Sequence, residues 1–185
     1  MPRSSPGNRK PILEQIATVA ARSSGRPLRV LDLGIGHGTY GRLLRESGLH
    51  VELTGVEVWS RYRNRRWDNY DHIVEAEISQ FLGGVGRSDY DVVLLIDVLE
   101  HFDRETGASV LEQVLAMDTL AVIVSTPTTR FPQRAWYGNQ FEVHRHCWSD
   151  EELADRGLRL IRSSWVATAA LWPPFARLGL YIASS

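Results

Sequence analysis

Three glycines alternate behind an acid in Asp32-Leu33-Gly34-Ile35-Gly36-His37-Gly38, the stretch of this chain best suited to hold a nucleotide-like ligand. Val30 to Leu33 read as the end of a strand and the glycines as a turn. Glycine tolerates positive φ and carries no side chain to keep a ligand off the backbone N–H groups, while the helix expected next aims its positive end at the same place. Two glycine patterns overlap here. Gly36-His37-Gly38-Thr39-Tyr40-Gly41 satisfies G-x-G-x-x-G, a dinucleotide fingerprint that should begin directly after its strand. Counted from Gly34, where the strand ends, the last glycine position holds Thr39, so the register favours G-x-G-x-G.

Further polar groups fall where other strands should end. Gly55-Val56-Glu57 offers an acid suited to accept hydrogen bonds from both hydroxyls of a ribose. His101 follows the most apolar strand, and His144 and His146 lie in a long connection; an imidazole titrating near neutrality can take a proton from a reacting hydroxyl or amine. His37, inside the glycine turn, frames a pocket rather than doing chemistry. Arg61-Tyr62-Arg63-Asn64-Arg65-Arg66-Trp67 interleaves cations with aromatics and could grip phosphate, although a solvated helix face explains it as well. Phe131, Trp136, Tyr137, Phe141 and Trp148 give the long connection an aromatic surface that fits a planar or apolar small molecule.

The run V-L-D-L-G-x-G-x-G from Val30 resembles the first motif of class I S-adenosylmethionine-dependent methyltransferases. That resemblance implies a ligand with an ammonium group for Asp32 and no pyrophosphate. Glu77-Ile78 ahead of Ser79-Gln80-Phe81-Leu82 resembles the family's adenine position, with Glu75 as the alternative acid. Asp97-Val98-Leu99-Glu100-His101 resembles the D/E-V-L-E-H segment that lines the cofactor and substrate cleft. The implied cofactor residues are Asp32, Gly34, Gly36, Gly38, Glu57, Glu77, Ile78 and Asp97; His101, His144 and His146 are the candidate bases. The expected activity is methyl transfer from S-adenosyl-L-methionine, leaving S-adenosyl-L-homocysteine, to an O or N atom of a small-molecule acceptor. In such a displacement the protein chiefly aligns the acceptor and excludes water. Asp97, Glu100, His101 and His144 also resemble the E-x-x-E-H and later His set of small-RNA 2′-O-methyltransferases, where Glu100, His101 and His144 would hold Mg²⁺ or Mn²⁺. That metal-assisted RNA enzyme is the lesser alternative, as is an inactive fold serving as a binding module. An NAD-dependent oxidoreductase is disfavoured by the glycine register.

The elements that must position these groups alternate. Strands are expected at 28–34, 51–57, 72–75, 90–96 and 120–125, and helices at 11–22, 38–47, 60–69 and 104–117. Residues 126–148 form a substrate-side loop or lid, a helix opens at Ser149-Asp150-Glu151-Glu152, and apolar runs at 158–166 and 177–183 supply terminal strands. The rhythm, with the family resemblance over about residues 28–126, implies a three-layer α/β/α sandwich. Its sheet should be seven-stranded, mostly parallel and Rossmann-like, with an antiparallel carboxyl-terminal strand. Residues 1–10 read as a mobile tail and 11–185 as one domain, monomeric or homodimeric. The chain has 185 residues and a formal net charge of −1, so it carries no global footprint for nucleic acid. Its single cysteine, Cys147, excludes an internal disulfide, and with neither a signal peptide nor a bilayer-length apolar run the expected location is cytoplasmic.

Overall fold

The computed structural model describes residues 6–23, 25–167 and 175–184. Seven strands form one sheet: β1 (Leu28–Leu33), β2 (Val51–Glu57), β3 (His72–Glu75), β4 (Val92–Ile96), β5 (Ala121–Pro127), β6 (Arg159–Ala167) and β7 (Phe175–Ser184). Their order is β3-β2-β1-β4-β5-β7-β6, parallel from β3 through β5, with β7 antiparallel to both β5 and β6. The expected alternation and the reversed carboxyl-terminal strand are both present. The order turns between β1 and β4, so the carboxyl ends of these two strands face a crevice, where open sheets of this kind place their ligands.

Burial follows from the strand sequences. Val92-Val93-Leu94-Leu95-Ile96 has no polar member, and every residue of β4 is buried because helices cover both faces of a central parallel strand. One core on the first face joins Ile12 and Ile16 of α1 (Pro6–Ala20) to Val30, Leu94 and Leu44, the last from α2 (Thr39–Glu46). On the other face, Val110, Leu111 and Val114 of α4 (Arg104–Leu115) pack with Leu31, Leu95 and Trp148. The shorter α3 (Ile78–Leu82) and α5 (Asp150–Ala154) complete the layers. Ser149 caps α5 with Glu152 in a reciprocal capping box, as its sequence suggests. Asp91 locks the opposite end of the sheet by accepting hydrogen bonds from Arg26 and Arg29; those guanidinium groups hold its carboxyl far below the usual range.

Two expected elements differ. Helix α1 begins at Pro6 rather than Pro11, so residues 6–10 of the expected tail are helical; residues 1–5 lie outside the described residues. Proline fits the first turn of a helix, where its missing N–H is not needed, and Asn8 is buried because its amide donates to Ser125 Oγ at 3.2 Å. The helix expected at 60–69 is instead two short 3₁₀ turns, Ser60–Tyr62 and Trp67–Asn69. Tyr62 and Trp67 both point inward, and five residues apart they do not share one helical face. Among the described residues no helix is long and apolar enough to cross a membrane.

Candidate active site

The glycine turn is wound by its own hydrogen bonds. Gly34, Ile35, Gly36 and Gly38 adopt a path in which all three glycines have positive φ, of 77°, 50° and 74° in chain order. At Gly34 a side chain is excluded twice over, since a Cβ there would also lie 2.6 Å from Val98 Cγ2. At Gly36 a Cβ would meet nothing within 4 Å; its open side faces the cavity. The backbone N–H groups do not form an anion cradle, in keeping with the expected absence of a pyrophosphate. Gly34 and Ile35 donate to Val56 O, Gly38 donates to Ile35 O, and Gly36 donates to Glu57 Oε2 at 2.8 Å. A turn whose N–H groups are already satisfied inside the protein has few left for a phosphate.

Glu57 ends β2 beneath this turn. It is buried, its Oε1 accepts from Trp59 N–H at 2.8 Å, and burial raises its pKa. Glu57 lines the cavity, and a carboxylate can accept more hydrogen bonds than these two, the capacity a ribose diol needs. Asp32 behaves differently from its expected role. It does not line the cavity but lies under the turn, where Tyr70 Oη donates to it at 2.5 Å while accepting from Gly41 N–H at 3.0 Å. Burial pushes the Asp32 carboxyl up to about 7, opposed by the Tyr70 hydrogen bond and assisted by the charge of Glu57. Gly38 also sits behind the lining, packed against Arg66.

A cavity of about 590 Å³ opens at the carboxyl ends of β1, β2 and β4, a size suited to a nucleoside with part of an acceptor. Glu77, Ile78 and Asp97 line it with Gly34, Gly36 and Glu57, so these expected cofactor residues converge. Glu75, the alternative acid, points away and pairs with Arg63 at 2.9 Å. Asp97 holds φ 56°, unusual for a residue with a side chain. Its N–H donates to Ser125 O at 2.7 Å, and Ser125 Oγ donates to its Oδ1 at 2.8 Å. Asn8 completes this relay from α1, and Pro6 reaches the cavity wall. Sequence reasoning missed both, having read 1–10 as a tail.

The other end of the cavity is built by the residues after β4 and by the long connection. His101 and His144 line the cavity with their rings edge to face, 4.9 Å between centroids. Burial and the neighbouring His144 lower His101 to about 4, and its Nδ1 has no hydrogen-bond partner. His144 is also lowered by burial; its Nδ1 lies 2.5 Å from Phe131 O, so Nδ1 carries the hydrogen and Nε2 is the free acceptor. Both rings are therefore neutral at pH 7. His146 is not part of this group: it packs on Trp148 at 4.9 Å and faces Glu152 at 3.6 Å. The buried Glu100 accepts from Thr126 Oγ1 at 3.0 Å, and burial with the nearby Asp97 charge raises its pKa. One ligand-type atom from each of Glu100, His101 and His144 lies within 4.8 Å of the others.

Tyr62 ties the segment after β2 to the long connection. Its Oη donates to Glu142 Oε1 at 2.7 Å and accepts from Asn139 at 3.2 Å, while Gln133 donates to Glu142 Oε2 at 3.1 Å. His37 packs on the Tyr62 ring and lines the cavity, as a framing residue should. Trp67 is buried and donates to Gly36 O at 2.8 Å, bracing the turn from behind. Of the lid aromatics, Phe131 and Phe141 line the cavity, Trp148 is core, and Trp136 and Tyr137 face solvent.

A family model described as a methyltransferase domain matches residues 8–160. The chain belongs to this methyltransferase-domain family. Its sheet order and glycine turn are those of the class I, Rossmann-like branch. No curated protein matches it. Among solved structures, the chain is similar to the 1,6-didemethyltoxoflavin-N1-methyltransferase of Burkholderia thailandensis, crystallised with 1,6-didemethyltoxoflavin and S-adenosylhomocysteine. The identity is 16% and the TM-score 0.58, with 100% of this chain and 93% of that one covered. It is also similar to the N-methyltransferase NodS of Bradyrhizobium japonicum WM9 in complex with S-adenosyl-L-homocysteine, at 13% identity and TM-score 0.58 over 94% of this chain and 86% of that one. The methyltransferase domain of bacterial CtHen1-CN aligns at 21% identity and TM-score 0.57, covering 94% and 96%. At these identities the likeness establishes the fold.

Proposed function

We propose that this methyltransferase domain transfers a methyl group from S-adenosyl-L-methionine to an O or N atom of a small-molecule acceptor. The observation that carries the cofactor is the glycine turn itself. Its N–H groups are spent internally and its open face at Gly36 lies beside the buried Glu57 carboxylate. Such a surface accepts a nucleoside with ribose hydroxyls and rejects a pyrophosphate. Two solved structures of this fold carry S-adenosylhomocysteine by their own descriptions. Glu57 would take the ribose, Glu77 and Ile78 the adenine, and Asp97 the amino-acid portion; Asp32 acts one layer back, through Tyr70 and the turn.

The bound cofactor supplies a sulfonium methyl, an electrophile that needs no further activation. The chain's own task is alignment, water exclusion and removal of a proton from the acceptor. His101 and His144, both neutral, border the acceptor end and hold unshared pairs for that proton. Phe131 and Phe141 supply apolar walls for a planar acceptor. Incubation with methyl-labelled S-adenosylmethionine and a fractionated cell extract tests this reading: label should enter the small-molecule fraction, undiminished by chelator. Label confined to RNA, or lost with chelator, would support the second reading, in which Glu100, His101 and His144 hold a divalent ion for an RNA 2′-O-methyltransferase. The convergence of those three residues is the observation that favours it.

A further inference from the structure

Eight guanidinium groups among the described residues are matched to carboxylates: Arg42 to Glu46, Arg45 to Asp71, Arg63 to Glu75, Arg87 to Asp118, Arg104 to Glu152, Arg177 to Asp150, and Arg26 and Arg29 to Asp91. Exposed guanidinium groups without such a partner occur singly, as at Arg22, and gather in two segments near the cavity. Arg61, Arg65 and Arg66 after β2, and Arg130, Arg134 and Arg145 in the lid, are exposed and have no carboxylate within ion-pair distance among the described residues. Neither segment contains an exposed acid. Residues 58–67 have none at all, and the only one in 128–146 is Glu142, buried and occupied by Tyr62 and Gln133.

The two segments are tied to each other, and the lid segment borders the cavity. Tyr62 bonds directly to Asn139 and Glu142, Asn64 Nδ2 donates to His37 O, and a Cβ at Gly38 would lie 3.2 Å from the Arg66 backbone. Arg145 lines the cavity, and Arg130 and Arg134 flank the lining residues Phe131 and Gln133. Charge is thus sorted by depth on this side: guanidinium groups outside, the buried carboxyls Glu100 and Glu142 within. An anion would be held at the mouth and repelled from the interior. The exposed acids among the lining residues, Glu77 and Asp103, come from the starts of α3 and α4 instead.

We propose that this basic rim recognises an oxyanion, phosphate or carboxylate, carried by the methyl acceptor, which stays at the mouth while the acceptor's uncharged end enters toward His101 and His144. Planar guanidinium forks suit both oxyanions, and an unpaired fork is free to make the contact. The inference rests on the methyltransferase reading for the word acceptor; the anion site itself does not.

The test is calorimetric titration of the protein, with and without saturating S-adenosylhomocysteine, using inorganic tripolyphosphate, citrate and a twelve-nucleotide uridine RNA as probes. Tripolyphosphate or citrate should bind the wild type, and whichever binds tighter names the oxyanion. Arg130→Ala/Arg134→Ala/Arg145→Ala should weaken that binding tenfold or more. Arg61→Ala/Arg65→Ala/Arg66→Ala, outside the cavity lining, should weaken it by a smaller factor. Arg22→Ala/Arg159→Ala/Arg162→Ala removes the same charge from exposed, unpaired arginines outside the rim and should change it less than twofold. Absence of small-anion binding, or equal weakening by rim and control variants, overturns the proposal. RNA bound tenfold or more tighter than tripolyphosphate also overturns it, in favour of a nucleic-acid groove. Failure to bind S-adenosylhomocysteine while anion binding persists would refute the methyltransferase reading and leave the rim standing.

Discussion

Asp32→Asn should gain stability over the wild type steadily as pH rises from 5 to 8. The carboxyl is 3% exposed, sits beside Glu57, and has its pKa raised from 3.8 to about 7 in the folded state. Below pH 3.8 it is protonated folded or unfolded and contributes no difference. Between about 4 and 7 the unfolded chain ionises first, so native stability falls as pH rises, by about 1.4 kcal/mol per unit, and levels off above 7. Between pH 5 and 8 that amounts to about 3 kcal/mol of wild-type stability that an amide, still accepting from Tyr70, does not lose. For a domain of this length it corresponds to a Tm difference growing by about 6–12 °C over the same interval. Urea unfolding at half-unit pH steps measures it, with the variant cancelling every other titrating group. A stability difference that stays constant from pH 5 to 8 would refute the buried, uncompensated carboxyl. A destabilising buried acid is retained for function, its charge being most useful under a cationic ligand.

Trp148→Ala should cost about 3–5 kcal/mol, because the ring is fully buried, packs on Gly107 and donates to Leu99 O; denaturant titration checks it. Tyr62→Phe removes the hydrogen bonds linking lid to turn, at about 1–2 kcal/mol, so kcat/KM for the acceptor should fall about fivefold to thirtyfold with S-adenosylhomocysteine affinity within twofold. Equal losses in both would place Tyr62 in the cofactor site. Asn8→Ala loosens the Ser125 relay to Asp97 and should raise KM for S-adenosylmethionine about fivefold, with kcat changing less. Steady-state kinetics separates the two parameters.

The alternating architecture was legible because each strand is either continuously apolar, as in Val92–Ile96, or bounded by glycine and polar turns. The strand-end acids were legible for the same reason: once the strands are placed, Glu57 and Asp97 fall at their carboxyl ends. What stayed hidden depends on long-range pairing. Nothing local marks Asn8 as buried, since its partner Ser125 is 117 residues away. The 60–69 segment offers helix-forming arginines, yet Tyr62 and Trp67 find partners in Glu142 and Gly36, and those tertiary bonds override the local preference. Among the histidines, spacing alone made His144 and His146 equivalent; the lid's path turns one into the cavity and the other onto Trp148. The glycine turn showed where a ligand sits but not that its N–H groups were spoken for.

Whether the turn and Glu57 hold a sulfonium nucleoside is decided by calorimetry with S-adenosylmethionine, S-adenosylhomocysteine and NAD. Wild type should bind the first two and not NAD, and Glu57→Ala should weaken both at least tenfold, because it removes the ribose acceptor and releases the N–H groups of Gly36 and Trp59. Binding of NAD, no binding of either sulfur nucleoside, or equal affinity in the variant would contradict a sulfonium-nucleoside site.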